Sequence, residues 1–183
     1  MTEIPRLHLT VGLPGVGKTT LARRLARQHT AVRLTPDEWM IPLFGESEGD
    51  GKRDILEGRL LWTAHEVLLT GTSVVLDFGC WAAEERWAVR AVAEHAGGGF
   101  DLHVVDLSEP LRRDRVAERW KTDPGSTFEI TDVDHERFLR HSQRPSDGEL
   151  NSESLPTPPH GNSSWLAWAA GRRPSLPDFS AEN

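Results

Sequence analysis

Residues 12–20 of the chain read Gly-Leu-Pro-Gly-Val-Gly-Lys-Thr-Thr, which fits the pattern G-x-x-x-x-G-K-[ST]. Glycines at the fixed positions let the backbone turn tightly and present N–H groups without a Cβ in the way. A helix that begins near Gly17 would direct the positive end of its dipole at the same place. This arrangement suits the several negative charges of a polyphosphate. We therefore predict a phosphate-binding loop formed by Gly12, Gly15, Val16, Gly17, Lys18, Thr19 and Thr20.

Two side chains of this loop have chemistry that suits a nucleotide. Lys18 would reach the β- and γ-phosphate oxygens, and the hydroxyl of Thr19 would bind Mg²⁺. The alternative is a glycine-rich turn that precedes a lysine by chance. The context opposes that alternative, since a strand-like apolar run (7–11) precedes the loop and an amphipathic helical pattern (17–29) follows it.

Strand-like and helix-like segments alternate along the chain. Short apolar runs predict strands at residues 7–11, 31–34, 73–78 and 101–107. Helical patterns cover residues 17–29, 53–70, 82–96, 109–120 and 132–141. Strands separated by helices of about a dozen residues are typical of βαβ units. The predicted fold class is α/β, a three-layer P-loop NTPase fold with a parallel sheet of four to five strands and helices on both faces.

The composition changes near the end of the chain, where Pro, Gly and Ser become frequent. We expect one domain over residues 1–149 and a Pro/Ser-rich C-terminal tail over residues 150–183, with no second domain. No clear fifth strand follows Glu149. Either the sheet is trimmed at that edge, or the tail supplies the edge, for example through residues 165–170.

Bulk properties exclude several classes of protein. The formal net charge is −7, which opposes broad, sequence-independent adhesion to nucleic acid. Cys80 is the single cysteine, so no intramolecular disulfide can form and a reducing compartment is favoured. There is no apolar run of 18 residues and no signal-like N-terminus, so we expect a cytoplasmic protein with no membrane partner.

Within the P-loop proteins, two classes fit poorly. The asparagine of the guanine-reading N-K-x-D element has no counterpart, since Asn151, Asn162 and Asn183 all lie in the tail. The carboxylate that ends the third predicted strand, Asp77, is followed by Phe78 and not by a glutamate that could activate water. Both features favour phosphoryl transfer to a bound hydroxyl over hydrolysis.

Several further motifs carry a family resemblance. They are residues 12–20, Pro-Asp-Glu-Trp at 36–39, Val-Val-Leu-Asp-Phe-Gly-Cys-Trp at 74–81, Arg86, Arg115-x-x-x-Arg119, Phe138 and the spacing from Pro145 to Glu149. Together they resemble the P-loop kinases related to phage-type polynucleotide 5′-kinase, a group that includes chloramphenicol phosphotransferase and the zeta-toxin kinases. The resemblance spans about residues 7–149. It implies a kinase that uses ATP and Mg²⁺ and phosphorylates a small-molecule or nucleotide acceptor, with a nucleic-acid 5′ end as the less expected acceptor.

The resemblance implies a role for Asp37, and two further acidic residues, Glu38 and Asp77, are candidates on their own chemistry. Asp37 matches the general base that faces the acceptor hydroxyl, and its place after the second predicted strand puts it at the ligand-binding edge of the sheet. The alternative is a turn residue that caps the next helix, in the Thr35-Pro36-Asp37 segment. Glu38 is a candidate for acceptor contact, with a solvated or supporting residue as the alternative. Asp77 is expected to contact the acceptor or Mg²⁺ through its outer coordination shell, with helix capping as the alternative.

Arginines complete the expected site. In the resembled kinases the R-x-x-x-R helix is a lid that closes over the γ-phosphate, here about residues 109–131 and carrying Arg115 and Arg119. Arg112 is the runner-up, because the register of the lid helix is open. Arg86 matches an arginine near the acceptor. A solvated basic helix face is the alternative for the lid arginines, and a nucleotide-binding switch with a partner-docking tail is the alternative for the whole protein.

Overall fold

A computed structural model describes residues 4–45 and 50–179 and shows a single parallel sheet. Its strands are β1 (Arg6–Val11), β2 (Val32–Leu34), β3 (Val74–Leu76) and β4 (Gly99–Val104). Their spatial order is β2-β3-β1-β4, and every neighbouring pair is parallel. The predicted α/β class is therefore confirmed, with four strands. Because β1 and β3 are neighbours, the segments that follow them leave the sheet side by side.

Eight α-helices surround the sheet in the described part of the chain. They are α1 (Lys18–Gln28), α2 (Pro36–Phe44), α3 (Lys52–Leu69), α4 (Ala83–His95), α5 (Glu109–Thr122), α6 (Asp132–His141), α7 (Asp147–Leu150) and α8 (Trp165–Arg172). A 3₁₀ turn, Pro124–Ser126, follows α5. The helical patterns predicted α1 and α3 to α6, but α2 was expected only as a turn. Pro36 at the first helical position has its φ preset for a helix, which explains how the turn continues into α2.

Alternation along the strands builds a core on each face of the sheet. In β3, Val74 and Leu76 belong to the larger core, whereas Val75 packs with Ala22 and Leu25 of α1 on the opposite face. All three β3 side chains are fully buried. Successive side chains of a strand point to opposite faces, so a continuous apolar run requires cover on both. The larger core also includes α3 and α4, which gives the three-layer arrangement.

The C-terminal segment packs against the domain. Helix α8 lies on α4, and Trp165, Leu176 and Phe179 are buried in the larger core. At Gly58 of α3, a Cβ would overlap Ser175 and lie 3.0 Å from the backbone nitrogen of Leu176. The segment therefore supplies a helix to one face of the sheet, and in the described part of the chain it adds no edge strand. Within the same residues, no helix is both long and apolar enough to cross a membrane.

Candidate active site

A cleft of about 1350 Å³ opens at the edge of the sheet where the parallel strands end. Its walls come from the loop after β1, the start of α2, the start of α3, the segment after β3 and the inner side of α5. Ligands bind at this edge in open α/β folds because the loops that follow parallel strands converge there. The predicted site residues that line this one cleft include Lys18, Asp37, Asp77, Arg115 and Arg119.

The loop after β1 has the backbone that its glycines permit. Gly12, Gly15 and Gly17 have φ values of 149°, 88° and 103°, a region that side chains rarely adopt. A Cβ at Gly15 would lie 2.5 Å from the carbonyl oxygen of Arg112 and 2.8 Å from Cγ2 of Val116, so α5 packs directly on the loop. Gly17 is the N-cap of α1, which places the N-terminus of that helix at the cleft.

Lys18 and the two residues after it face the cleft from the first turn of α1. The Nζ atom of Lys18 donates a hydrogen bond to the carbonyl oxygen of Leu13, 3.2 Å away across the loop. Burial lowers the pKa of Lys18, and the carboxylates of Asp77 and Asp37 partly oppose that shift. Thr19 and Thr20 also line the cleft. Val16 contributes its backbone, because its side chain is buried.

Asp77 follows β3, and its two carboxylate oxygens have different surroundings. Its Oδ1 accepts a hydrogen bond of 3.1 Å from the hydroxyl of Thr10, whereas the buried Oδ2 has no hydrogen-bond partner among the described residues. Burial raises the pKa of Asp77, and Thr19 is first among the neighbours that lower it again. A buried carboxylate oxygen without a donor, close to a threonine hydroxyl, offers the hard oxygen ligands that Mg²⁺ prefers.

The described residues contain no group of three or more His, Cys, Asp or Glu side chains that could hold a metal by itself. Such a group is not required for Mg²⁺ at a nucleotide, since that ion keeps water and phosphate oxygens and takes only one or two protein ligands. Thr19 and Asp77 therefore fit a metal that arrives with a nucleotide.

Asp37 lies in the first turn of α2, with its side chain 57% exposed towards the cleft. Its Oδ1 accepts a hydrogen bond of 2.5 Å from Nη2 of Arg53 on α3. The Nη1 atom of Arg53 donates in turn to Glu57, at 3.1 Å. The carboxylate is thus accessible on one side and held by a guanidinium on the other.

Glu38, the next residue, points elsewhere. Its carboxylate receives 3.0 Å and 2.6 Å hydrogen bonds from Arg23 and Arg33, and it is not among the residues that line the cleft. Burial raises the pKa of Glu38, but the hydrogen bonds from Arg33 and Arg23 outweigh it and lower the pKa. The expectation that Glu38 contacts the acceptor therefore does not match its position. A helix turns consecutive residues by about 100°, so Asp37 and Glu38 cannot face the same side.

Arg86 also differs from its expected place. It is 2% exposed, in α4, and forms a bidentate pair with Glu149 through 2.6 Å and 3.2 Å hydrogen bonds. Its Nη1 donates to the carbonyl oxygens of Cys80 and Trp81, at 3.2 Å and 3.0 Å. Its donors hold the segment after β3 and the start of the C-terminal segment together. Arg86 thus shapes the wall of the cleft from behind, and acceptor contact is not supported.

We expect Arg86→Met to destabilise the fold by about 3–5 kcal/mol, since it leaves the Glu149 carboxylate buried without its cation. The measurement is the free energy of unfolding in urea. Paired replacement with Glu149→Gln should recover part of the loss, because no buried charge then remains. Equal stability of wild type and Arg86→Met would mean that the pair is not formed in solution.

Helix α5 presents two arginines to the cleft and keeps a third inside. Arg115 and Arg119 are exposed and line the cleft. Arg112 is 1% exposed and bonds to Nδ1 of His135 at 2.8 Å and to the carbonyl oxygen of Pro14 at 3.4 Å. Burial, and then the charge of Arg112, lowers the pKa of His135, which suits a neutral ring accepting from a guanidinium. Arg112 thus contacts the phosphate-binding loop from behind, whereas Arg115 and Arg119 are the arginines of this helix that line the cleft.

Among the cleft residues that the sequence analysis did not single out, three belong to one network of ion pairs with Asp37. Arg53, Glu57 and Arg173 line the cleft next to Asp37. The i,i+4 spacing of Arg53 and Glu57 on a predicted helix signals an ion pair. It could have drawn attention to them, but not to their meeting Asp37. Nothing in the sequence around Arg173 indicates that the C-terminal segment reaches the cleft.

Comparison with known proteins identifies the family. The model of the AAA domain family AAA_33 matches residues 7–145, most of the chain. No curated protein matches by sequence. The fold is similar to three solved structures, each under 25% identical. For the Pnkp1/Rnl/Hen1 RNA repair complex, the TM-score is 0.66 at 20% identity, and the match covers 77% of this chain and 45% of that one.

The other two structures carry nucleotides. Chaetomium thermophilum Kti12 in complex with ADP-AlF3 gives a TM-score of 0.62 at 16% identity, covering 93% of this chain and 96% of that one. Mycobacterium tuberculosis APS kinase CysC with AMPPNP and APS gives 0.59 at 22% identity, covering 78% and 84%. This chain thus spans less than half of the matched chain of the RNA repair complex, but nearly the full length of the other two. With its phosphate-binding loop and its sheet order, the chain belongs to the AAA domain family and has the fold of a P-loop kinase domain.

Proposed function

We propose that this protein is an ATP- and Mg²⁺-dependent kinase that transfers the γ-phosphoryl group to a hydroxyl of a small-molecule or nucleotide acceptor. One observation carries the proposal. A phosphate-binding loop, an accessible carboxylate (Asp37) and two cleft-facing arginines (Arg115 and Arg119) line the same cleft. A phosphoryl donor, an acceptor base and charge stabilisation are the parts that such a transfer needs.

The nucleotide side of the cleft is the loop of residues 12–20 and the N-terminus of α1. Backbone N–H groups there donate hydrogen bonds to phosphate oxygens. Lys18 gives up its hydrogen bond to the carbonyl of Leu13 and binds the β- and γ-phosphates instead. Thr19 would hold the Mg²⁺ directly and Asp77 would hold it through its outer coordination shell, and the bound ion would supply charge neutralisation at the phosphates. Asp77 already has an oxygen that lacks a protein donor among the described residues.

The acceptor side centres on Asp37. An exposed carboxylate with one oxygen held by Arg53 has its other oxygen available to orient a hydroxyl and take its proton. Glu57 pairs with Arg53, and Arg173 of the C-terminal segment pairs in turn with Glu57. Exposure of Asp37 leaves room for an acceptor to approach.

The known structures support the fold and leave the acceptor open. The RNA repair complex contains Pnkp1, and the APS kinase was solved with AMPPNP and APS. Their identities of 20% and 22% to this chain support the fold alone. A nucleic-acid 5′-hydroxyl kinase is the second candidate within enzymes, and the net charge of −7 counts against it.

The proposal is tested by a screen for ADP release at fixed ATP and Mg²⁺, with acceptors in separate pools of sugars, nucleosides, amino-alcohol antibiotics and 5′-hydroxyl oligonucleotides. We expect a pool other than the oligonucleotides to raise ADP release above the water background. Release that only the oligonucleotides stimulate would select the second candidate. Tight ATP binding with no stimulated release by any pool would favour a nucleotide-binding switch.

The lid arginines should matter for turnover more than for affinity. We expect Arg115→Ala and Arg119→Ala each to lower kcat by about 30-fold, the size of a charge-assisted hydrogen bond made to the transition state. The Kd for ATP should change little, because the exposed side chains engage the phosphate only as it is transferred. The measurements are kcat in steady state and Kd by calorimetry. A loss of affinity with kcat intact would make these residues ground-state phosphate clamps.

A further inference from the structure

Four charged side chains form a continuous line from the interior to the cleft. Arg173 pairs with Oε2 of Glu57 at 2.7 Å, and Oε1 of Glu57 pairs with Arg53 at 3.1 Å. Arg53 then pairs with Asp37 at 2.5 Å. Side-chain exposure increases along this line, from 8% at Arg173 and Glu57 to 22% at Arg53 and 57% at Asp37. We call these four residues, Arg173, Glu57, Arg53 and Asp37, the positioning chain.

The first member of the positioning chain is fixed in the interior. Arg173 also pairs with Asp54 at 2.9 Å and with Glu85 at 3.6 Å, so it joins α3 to the start of α4. Its backbone follows α8, and residues just beyond it, Leu176 and Phe179, are anchored in the core. A guanidinium held by three carboxylates and by the backbone around it has little freedom to move.

The middle of the positioning chain depends on Arg173. Burial raises the pKa of Glu57, and the charges of Arg173 and Arg53 are what oppose that shift. A buried carboxylate that loses a cation tends to take up a proton, since an unpaired charge is costly there. A neutral Glu57 would hold Arg53 more weakly, and Arg53 would then be free to leave Asp37.

We propose that Arg173, Glu57 and Arg53 are positioning residues for the acceptor carboxylate, and that the C-terminal segment is thereby a working part of the acceptor site. This inference rests on the proposed function, in which Asp37 receives the acceptor hydroxyl. Arg173 lies outside residues 7–145, the part matched by the family model. The segment after residue 145, which the family model does not match, would therefore contribute to the acceptor site of this chain.

The first test needs no acceptor. Hydrogen exchange of the α2 amides is compared between wild type and Arg173→Met, and we expect α2 to exchange about fivefold faster once its tether to α3 is weakened. Exchange in α1 serves as the internal reference. Arg90→Met is the matched control. Arg90 is similarly buried and also anchors the C-terminal segment, through the carbonyl of Glu153, but among the described residues it makes no contact with the positioning chain. Unchanged α2 exchange in Arg173→Met, or the same change in Arg90→Met, would overturn the proposal.

The second test uses the acceptor that the ADP-release screen identifies. We expect Arg173→Met and Glu57→Gln to lower kcat by about tenfold with the ATP Kd unchanged, and Arg173→Lys to recover part of that loss. In the Asp37→Asn background, Arg173→Met should lower kcat no further, because no carboxylate remains to be oriented. An additive loss in that background would show a general structural role and overturn the proposal. If no acceptor is phosphorylated, the proposed function is wrong. The exchange test would still show whether Arg173 holds α2 through the positioning chain.

Discussion

Lys18→Ala should lower phosphoryl transfer by on the order of 10³-fold, the largest effect that we expect from a single side chain. Lys18 already lies within the phosphate-binding loop, bonded to the carbonyl of Leu13, so no reorganisation is needed when phosphates displace that carbonyl. Its partly desolvated ammonium also acts more strongly on a developing charge than it would in water. The measurements are single-turnover transfer and ATP affinity by calorimetry, both of which should fall.

Lys121→Ala is the matched control for this change. Lys121 is an exposed residue in the last turn of α5, it is not among the cleft-lining residues, and its replacement removes the same charge and the same stem. We expect it to keep wild-type transfer and affinity. If Lys18→Ala bound and turned over ATP like Lys121→Ala, the loop of residues 12–20 would not be the phosphate site.

Asp37→Asn should lower transfer by on the order of 10²-fold or more, because the amide keeps the size of the side chain but cannot take a proton. The P-loop is untouched, so ATP affinity and the unfolding midpoint should stay close to wild type. Phosphoryl transfer passes through a loose transition state in most analyses, where the acceptor proton leaves late. Part of the loss then reflects poorer orientation of the hydroxyl.

Glu38→Gln is the matched control, since it makes the same chemical change one residue later. Glu38 faces Arg23 and Arg33, outside the cleft, and we expect its replacement to leave the rate of transfer close to wild type. Asp77→Asn should instead alter the dependence on Mg²⁺. A wild-type rate in Asp37→Asn would reduce Asp37 to a stabiliser of the α2 N-terminus, and the base would have to be sought at Asp77.

Local signals predicted the part of the site that is built from local structure. The phosphate-binding loop, the strand that ends before Asp77 and the helix with Arg115 and Arg119 all depend on short-range rules of glycine, apolar runs and helical spacing. The predicted and described elements agree there. Helix α2 was expected only as a turn, because Pro36 and Pro42 obscure a nine-residue helix.

Contacts between distant segments could not be predicted in the same way. The pairing of Arg86 with Glu149 spans 63 residues, and the bond from Arg173 to Asp54 spans 119. From the sequence alone, a charged residue on a helix can be exposed to solvent or buried in an ion pair, and only its distant partner decides between the two. The family resemblance placed Arg86 near the acceptor, and residues 150–183 were expected as a tail, although α8 packs on α4 and both Leu176 and Phe179 are buried in the core.

The packing of Phe179 has a consequence for the order of assembly. Its ring lies 5.7 Å from that of Trp62 and 5.0 Å from that of His65, so a residue near the end of the described chain packs against residues of α3 that are far from it in sequence. Contacts of such high sequence separation carry a large loop-closure entropy and tend to form slowly. During synthesis the sheet and its flanking helices can form before the segment that carries Arg173 and Phe179 has been added. The wall behind Asp37 is completed only afterwards, so the acceptor half of the cleft matures later than the nucleotide half.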